Sequence, residues 1–203
     1  MRKTIAIVGG GYKPFTKGHY MVIQQASDFA DEVQLFVSTN DRKRTGQLPV
    51  LWNGQMEVVW SSFLEKAMPN NVTVNYVNNP NRGIFEFLES ADQNDMDHNT
   101  YVIFGGGDDI PKYFPDNNLQ KYVPRLMAND QIIKKTFERT EGGMDDVALV
   151  SGTKMRDAVV KGDVAEFTSG LPEPVQRYGQ EIFDILAGTI DQIKQPRAKK
   201  SKK

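Results

Sequence analysis

Short apolar runs alternate with segments of helical periodicity along this chain, and that alternation restricts what it can become. Lys3 to Val8 is an apolar run closed by glycines, and "DEVQLFVST", "NVTVNYV" and "TYVIFGGG" are further strand-like runs. Between them Val22, Ile23, Ala26 and Ala30 recur at helical spacing, and Met56, Val59, Trp60, Phe63 and Leu64 share one helical stripe. "GIFEFLESA" reads as a short helix. Strands joined through helices form a parallel sheet with helices on both faces, an α/β architecture. Ligands of such sheets bind beyond the carboxyl ends of the strands, which here carry Gly9 to Gly11, Thr39 to Arg44 and Gly105 to Asp109.

Beyond Asp109, "QIIKKTFERT" reads as a strand with a basic edge and "DVALV" as a short strand. Helices open at Ser151 and near Asp163, and a last helix runs from about Pro174 to Ile193. Its face of Val175, Tyr178, Ile182, Ile185 and Leu186 is suited to packing on the domain.

The 203 residues contain no cysteine and two histidines, which excludes disulfides, thiolate chemistry and a histidine-rich metal site. Asp95 and Asp97 beside His98 lie in a polar loop before a strand, a poor setting for a two-metal centre, so no protein-held metal is expected. No run reaches membrane-spanning length and no secretory signal is recognisable, so a cytoplasmic protein is expected, with no membrane partner. The last nine residues, "QPRAKKSKK", carry five cations, against a net charge of −1 for the whole chain. No aromatic residue interleaves them, which suits a solvated tail better than a nucleic-acid site.

"GGGYKPFTKGHY", residues 9–20, follows the first strand. It lacks the Lys-Ser or Lys-Thr of a Walker loop, and Pro14 stands where the dinucleotide fingerprint needs its last glycine. The backbone must nonetheless approach a ligand at the glycines and start a helix near Gly18, so that Thr16, His19 and free N–H groups face one point above the sheet. That arrangement suits a polyphosphate.

The stretch resembles the signature of the HxGH nucleotidylyltransferase superfamily, with Gly10, Tyr12, Pro14, Thr16, Gly18 and His19 in register. Thr16 takes the place of the first histidine, as in phosphopantetheine adenylyltransferases, and Lys13 stands where many members carry an acid. "SGTKMR" is similar to the second signature of that superfamily, with Ser151, Thr153 and Arg156 in register. The resemblance covers residues 1–162; residues 163–194 would be a helical extension packed on that domain, and 195–203 a basic disordered tail.

The resemblance implies a Rossmann-like nucleotidylyltransferase. It would move AMP or CMP from ATP or CTP to a phosphorylated small molecule and release pyrophosphate, with Mg²⁺ accompanying the triphosphate. By the same resemblance His19 donates to the α-phosphate, Thr16 holds the triphosphate, and Arg156 adds a fork of donors. Gly10, Gly11, Tyr12, Gly18, Gly105, Ser151 and Thr153 would border the nucleotide. Asp108 or Asp109 would accept from ribose or base, or cap the next helix. Lys13, Arg42, Arg44, Arg82 and Arg139 are candidates for the acceptor or the phosphates. "VST-D" and a broken "RTEG" are similar to cytidylyltransferases, whereas "SGT" and "PF" are similar to archaeal-type nicotinamide-mononucleotide adenylyltransferases, so base and acceptor stay open, as does assembly into a homo-oligomer. The alternative is a catalytically silent nucleotide-binding regulator on the same fold whose basic tail touches nucleic acid.

Overall fold

A computed structural model describes residues 1–96, 98–106, 109–136 and 150–190. Five strands, β1 (Thr4–Gly10), β2 (Glu32–Ser38), β3 (Val72–Val77), β4 (Thr100–Gly105) and β5 (Ile132–Thr136), form one sheet in the order β3-β2-β1-β4-β5. Every pairing is parallel. The chain winds outward from β1 through β2 to β3, then returns to place β4 on the other side of β1. That reversal makes the carboxyl end of β1 the switch point where such sheets open a crevice. Gly10 sits there, paired with Val37 of β2.

One face of the sheet is covered by α1 (Lys17–Phe29), the helical run 52–67 centred on α2 (Glu57–Val59), and four helical elements from the C-terminal part. Ile23 and Ala26 of α1 and Trp60 from the run 52–67 are buried there against Ala6, Val8, Val33 and Leu35. The other face packs on α3 (Pro80–Asn94), α4 (Asp109–Tyr113), α5 (Asp116–Tyr122) and α6 (Pro124–Ala128), where Ile84, Leu88, Leu119 and Leu126 meet Ile5, Ile7 and Ile103.

The third covering helix, α3, is longer than the short segment expected from "GIFEFLESA". Asn79 caps it by accepting from the Arg82 N–H (3.2 Å), with Pro80 in its first turn, so the "NPNRG" turn is its N-terminus.

The C-terminal part contains α7 (Gly152–Lys161), α8 (Val164–Ser169), a 3-10 turn (Glu173–Tyr178) and α9 (Gly179–Ala187). The single helix expected from Pro174 to Ile193 is therefore two elements. The break falls at Gly179, where a Cβ would lie 2.2 Å from Thr168 Oγ1, and α9 ends at Ala187. The apolar stripe survives the break: Val175, Ile182 and Leu186 are buried, together with Phe167 and Leu171, in the cluster that holds Ala6 and Trp60. Of "DVALV" only Val150 is among the described residues.

Candidate active site

The chain leaves β1 through Gly10 and Gly11 and reaches Tyr12, whose φ of +48° lies in the left-handed region. The Tyr12 ring folds back over Gly10, where a Cβ would lie 2.6 Å from it, so Gly10 accommodates the ring as well as the turn. Tyr12 is buried edge-on against His19 and Phe15, with centroids 5.0 and 5.4 Å apart, and forms an apolar seat for the imidazole.

Thr16 is the N-cap of α1 and His19 its third residue. Thr16 Oγ1 accepts from the His19 N–H (3.2 Å), and the Thr16 N–H donates to His19 Nδ1 (3.0 Å). Histidine here does the work of the Glu or Gln of a capping box. Because Nδ1 accepts, the proton of the neutral ring resides on Nε2. Burial holds the imidazole at a pKa of about 4, so it is neutral over the physiological range.

His19 borders two cavities. The first, about 510 Å³, is lined by Lys13, Arg42, Lys43, Arg44 and Arg156, with Asp41 its single carboxylate among the described residues. Asp41 is already engaged: Oδ1 accepts from the Trp52 N–H (2.9 Å), and Oδ2 pairs with Lys43 (2.7 Å). Gly152 and Thr153, the first residues of α7, complete the wall. This cavity thus lies beside the N-terminal turns of both α1 and α7, where the helix dipoles add to five cationic side chains.

Arg156 is buried at 3% exposure. Its fork reaches Lys13 O (2.7 Å), Thr153 Oγ1 (2.8 Å) and, more loosely, Gln47 Oε1 (3.5 Å), while Nε has no partner among the described residues. Gln47 Oε1 also accepts from Arg42 (3.1 Å), so two guanidiniums are held together by a neutral side chain. Burial and the neighbouring Arg42 pull the Arg156 pKa down to about 10. An anion is the missing complement of such a pair.

Lys13, 7% exposed, donates through Nζ to Ser38 O and to Gly11 O (3.1 Å). Burial lowers its pKa to about 8, opposed by nearby Asp41. A cation is therefore fixed in the wall of this cavity.

The second cavity, about 490 Å³, has a different chemistry. Gly9, Gly10, Gly105 and Gly106 form its floor, Ile84, Phe104, Ile110 and Phe114 supply apolar wall, and Asn81 and Asp109 are its polar points. No Lys or Arg lines it among the described residues. It shares Gly11, Tyr12, His19 and Ser38 with the first.

Most of the residues singled out in the sequence meet here: Gly10, Gly11, Tyr12, Lys13, His19, Arg42, Arg44, Gly105, Asp109, Thr153 and Arg156 all line one cavity or both. Four of the candidates stand outside both linings. Thr16 is 2% exposed and lines neither cavity; its hydroxyl oxygen caps α1. Arg82 points from the first turn of α3 to Glu86 (2.7 Å), one turn on, and is not part of either wall. Gly18 and Ser151 also lie outside both linings: Gly18 is in the first turn of α1, and Ser151 caps α7 by accepting from the Lys154 N–H (3.2 Å). Asp108 and Arg139 lie outside the described residues. Ser38, Asn40, Asp41 and Gln47 were absent from the sequence candidates; Asp41 and Gln47 flank the basic run, but only the fold turns them toward it.

No protein-family profile matches the chain. It is 38% identical over 45 residues to a phosphopantetheine adenylyltransferase of Porphyromonas gingivalis, 22% of this chain and 29% of that protein. With a phosphopantetheine adenylyltransferase of Bifidobacterium longum it shares 38% identity over 71 residues, 35% of this chain and 40% of that one. The chain thus spans well under half the length of these curated relatives.

Its fold is similar to that of a bifunctional NMN adenylyltransferase/ADP ribose pyrophosphatase from Francisella tularensis, with a TM-score of 0.55 and 14% identity over 94% of this chain and 53% of that one. A second structure of that protein, complexed with AMP and Mn ion, gives 0.54 and 13% over 93% and 52%. A putative nicotinate-nucleotide adenylyltransferase from Vibrio parahaemolyticus gives 0.53 and 14% over 89% and 99%. Local sequence similarity and overall fold thus agree with the resemblance to the HxGH nucleotidylyltransferase superfamily, and the Rossmann-like α/β architecture is common to the chain and these neighbours.

Proposed function

We propose that the protein is a nucleotidylyltransferase, most consistent with adenylyl transfer from ATP to a phosphorylated small molecule. The observation that carries this reading is the position of His19. His19, whose neutral ring carries its proton on Nε2, lines both a cationic cavity that suits a polyphosphate and a glycine-rich cavity, free of Lys and Arg among the described residues, that suits a nucleoside. ATP is favoured over CTP because the curated relatives and the structural neighbours are named as adenylyltransferases.

The chemistry asks little of the protein beyond placement and charge. A phosphate oxygen of the acceptor attacks the α-phosphorus, the bond to the bridging oxygen breaks, and pyrophosphate leaves. The attacking group is already anionic, so no general base is needed. A neutral His19 donates a hydrogen bond from Nε2 to the α-phosphate as charge builds there. Arg156, Arg42, Arg44 and Lys13 hold the β- and γ-phosphates and the leaving pyrophosphate. Gly105 and Asp109 lie where ribose or base would contact the second cavity.

A divalent cation such as Mg²⁺ enters this reading on the triphosphate. Among the described residues no group of three His, Asp or Glu side chains could hold one, and Asp41 is engaged by Trp52 and Lys43. The cation would be held by phosphate oxygens, supplying charge neutralisation. Zero cysteines suit a reducing, cytoplasmic setting.

The reading is tested by measuring pyrophosphate release from ATP and from CTP across a panel of phosphomonoester acceptors. Turnover with one pair supports it. Saturable nucleotide binding with no turnover in any pair would support the silent regulator instead.

A further inference from the structure

The loop carrying Arg42 and Arg44 is held at its base by the C-terminal helices, which lie beyond both signature motifs. Thr189, 3% exposed, donates through Oγ1 to Pro49 O (2.8 Å). Gln55, 5% exposed, accepts from the Leu51 N–H (2.8 Å) and donates to the last carbonyls of α9, Ile185 O (2.8 Å) and Leu186 O (3.3 Å). The two grips fall on either side of Val50, which pairs in both directions with Arg42: Arg42 N–H to Val50 O (2.8 Å) and Val50 N–H to Arg42 O (3.0 Å). From Arg42 the path continues through Gln47 to Arg156. On the other side of the cavity, Gly170 O accepts the N–H of Lys17, the first residue of α1 (2.9 Å).

We propose that the segment from Asp163 to Ile190 is a positioning element for the cationic cavity, with Thr189 and Gln55 as the residues that fix Arg42 opposite Arg156. Two guanidiniums repel each other, and Gln47 bridges them without neutralising either, so the pair does not assemble itself. Their separation must be imposed from the backbone of the loop. Thr189 and Gln55 impose it by occupying the carbonyl of Pro49 and the N–H of Leu51, the peptide groups flanking the Arg42–Val50 bridge. Both polar side chains are buried with their partners, a setting in which losing one partner is felt strongly.

The inference rests on the reading of this cavity as a polyphosphate site, and the experiment separates the two. Tripolyphosphate alone is titrated calorimetrically into the full-length protein and its variants, with melting temperature measured in parallel. Arg156→Ala tests the site, and loss of binding is expected. Thr189→Val, which keeps the shape and removes the hydroxyl, is expected to weaken tripolyphosphate by about fivefold, the scale of one neutral hydrogen bond. Thr189→Ser, which keeps the hydroxyl, is expected to bind as the parent does. Gln55→Met, which severs the second grip, is expected to repeat the loss.

If Arg156→Ala weakens binding while Thr189→Val and Gln55→Met bind normally, the positioning role is overturned and the site stands. If Arg156→Ala binds normally, the reading of the cavity fails first. A Thr189→Ser variant as weak as Thr189→Val would overturn the hydroxyl's role. Failure of both Thr189→Val and Gln55→Met to fold would assign the contacts to stability instead.

Discussion

Thr16 and His19 satisfy each other: the hydroxyl of one caps the N–H of the other, and the N–H of the first lands on Nδ1 of the second. This reciprocal pair does two things at once. It starts α1 and it fixes which imidazole nitrogen carries the proton, so the ring that lines both cavities carries it on Nε2.

The two roles of His19 are separable. His19→Ala should reduce turnover by at least about a hundredfold, the scale of one lost transition-state donor. It should also lose about 1 kcal/mol of stability with the cap. His19→Asn offers a short acceptor that restores the bond from the Thr16 N–H but has no atom at the Nε2 position. Its melting temperature should recover toward the parent's while turnover stays low. Recovery of both would show that Nε2 is not the working atom.

A pH profile should carry the mark of Lys13 and not of His19. With the imidazole at about 4, kcat/KM should show no limb from His19 in the ordinary histidine range beyond the ionisation of the substrate phosphates themselves. It should fall as pH rises through about 8, where the Lys13 ammonium loses its proton in the free enzyme. Lys13→Met should lower phosphate affinity and remove that alkaline limb. Stability runs with the opposite sign. The unfolded chain keeps the Lys13 proton up to the ordinary 10.5 and the folded chain only to about 8, so Lys13 contributes rising stability with pH across that window. For His19 the unfolded ring binds its proton at 6.5 and the folded ring at about 4, so its contribution makes stability fall as pH drops from 6.5 to 4. Denaturant titrations across these ranges measure both.

Arg156 is held by geometry as much as by charge. Arg156→Lys keeps a cation but cannot span Lys13 O and Thr153 Oγ1 together. Tripolyphosphate affinity should fall for Arg156→Lys, though less than for Arg156→Ala. Leaving the buried Lys13 carbonyl unpaired should cost about 1–3 kcal/mol in Arg156→Ala. Equal binding by Lys and Arg at this position would reduce the contact to a point charge.

The sheet and the motif helices were legible in the sequence because their signals are local: period-two and helical spacing, a Ser cap, glycines at strand ends. Lys13 and Arg156 could be named, but not their contact, since the Lys13 carbonyl and the Arg156 fork lie 143 residues apart. Thr16 could be named but not its bonding: Oγ1 accepts the His19 N–H as the cap of α1, and the hydroxyl keeps its own O–H as a donor. Arg82 could not be placed from the sequence because "NPNRG" reads as a turn, whereas Asn79 and Pro80 make it a helix start, which directs Arg82 to Glu86 one turn on. Gln47 and Thr189 carry no local signal, being defined by partners that are distant in sequence or shared.

The C-terminal helices and the nucleotide-type core should unfold together. Phe167, Leu171, Val175, Ile182 and Leu186 belong to the same buried cluster as Val8, Trp60 and Met155, so no solvent layer separates the two parts. A calorimetric scan should therefore show one transition, not two. Gly179→Ala probes the link directly. Its methyl group would lie 2.2 Å from Thr168 Oγ1 and 2.8 Å from Thr168 Cβ, contacts that α8 and α9 can relieve only by moving apart. Overpacking of this kind should destabilise by about 1–3 kcal/mol. The accompanying shift of α9 would carry Ile185 and Leu186 away from Gln55, so tripolyphosphate binding should weaken in the same variant. Thr168→Gly, combined with Gly179→Ala, removes the colliding atoms and should restore the binding that the single variant loses. A Gly179→Ala protein with normal phosphate affinity and lowered stability would show that the packing of these helices is not transmitted to the loop.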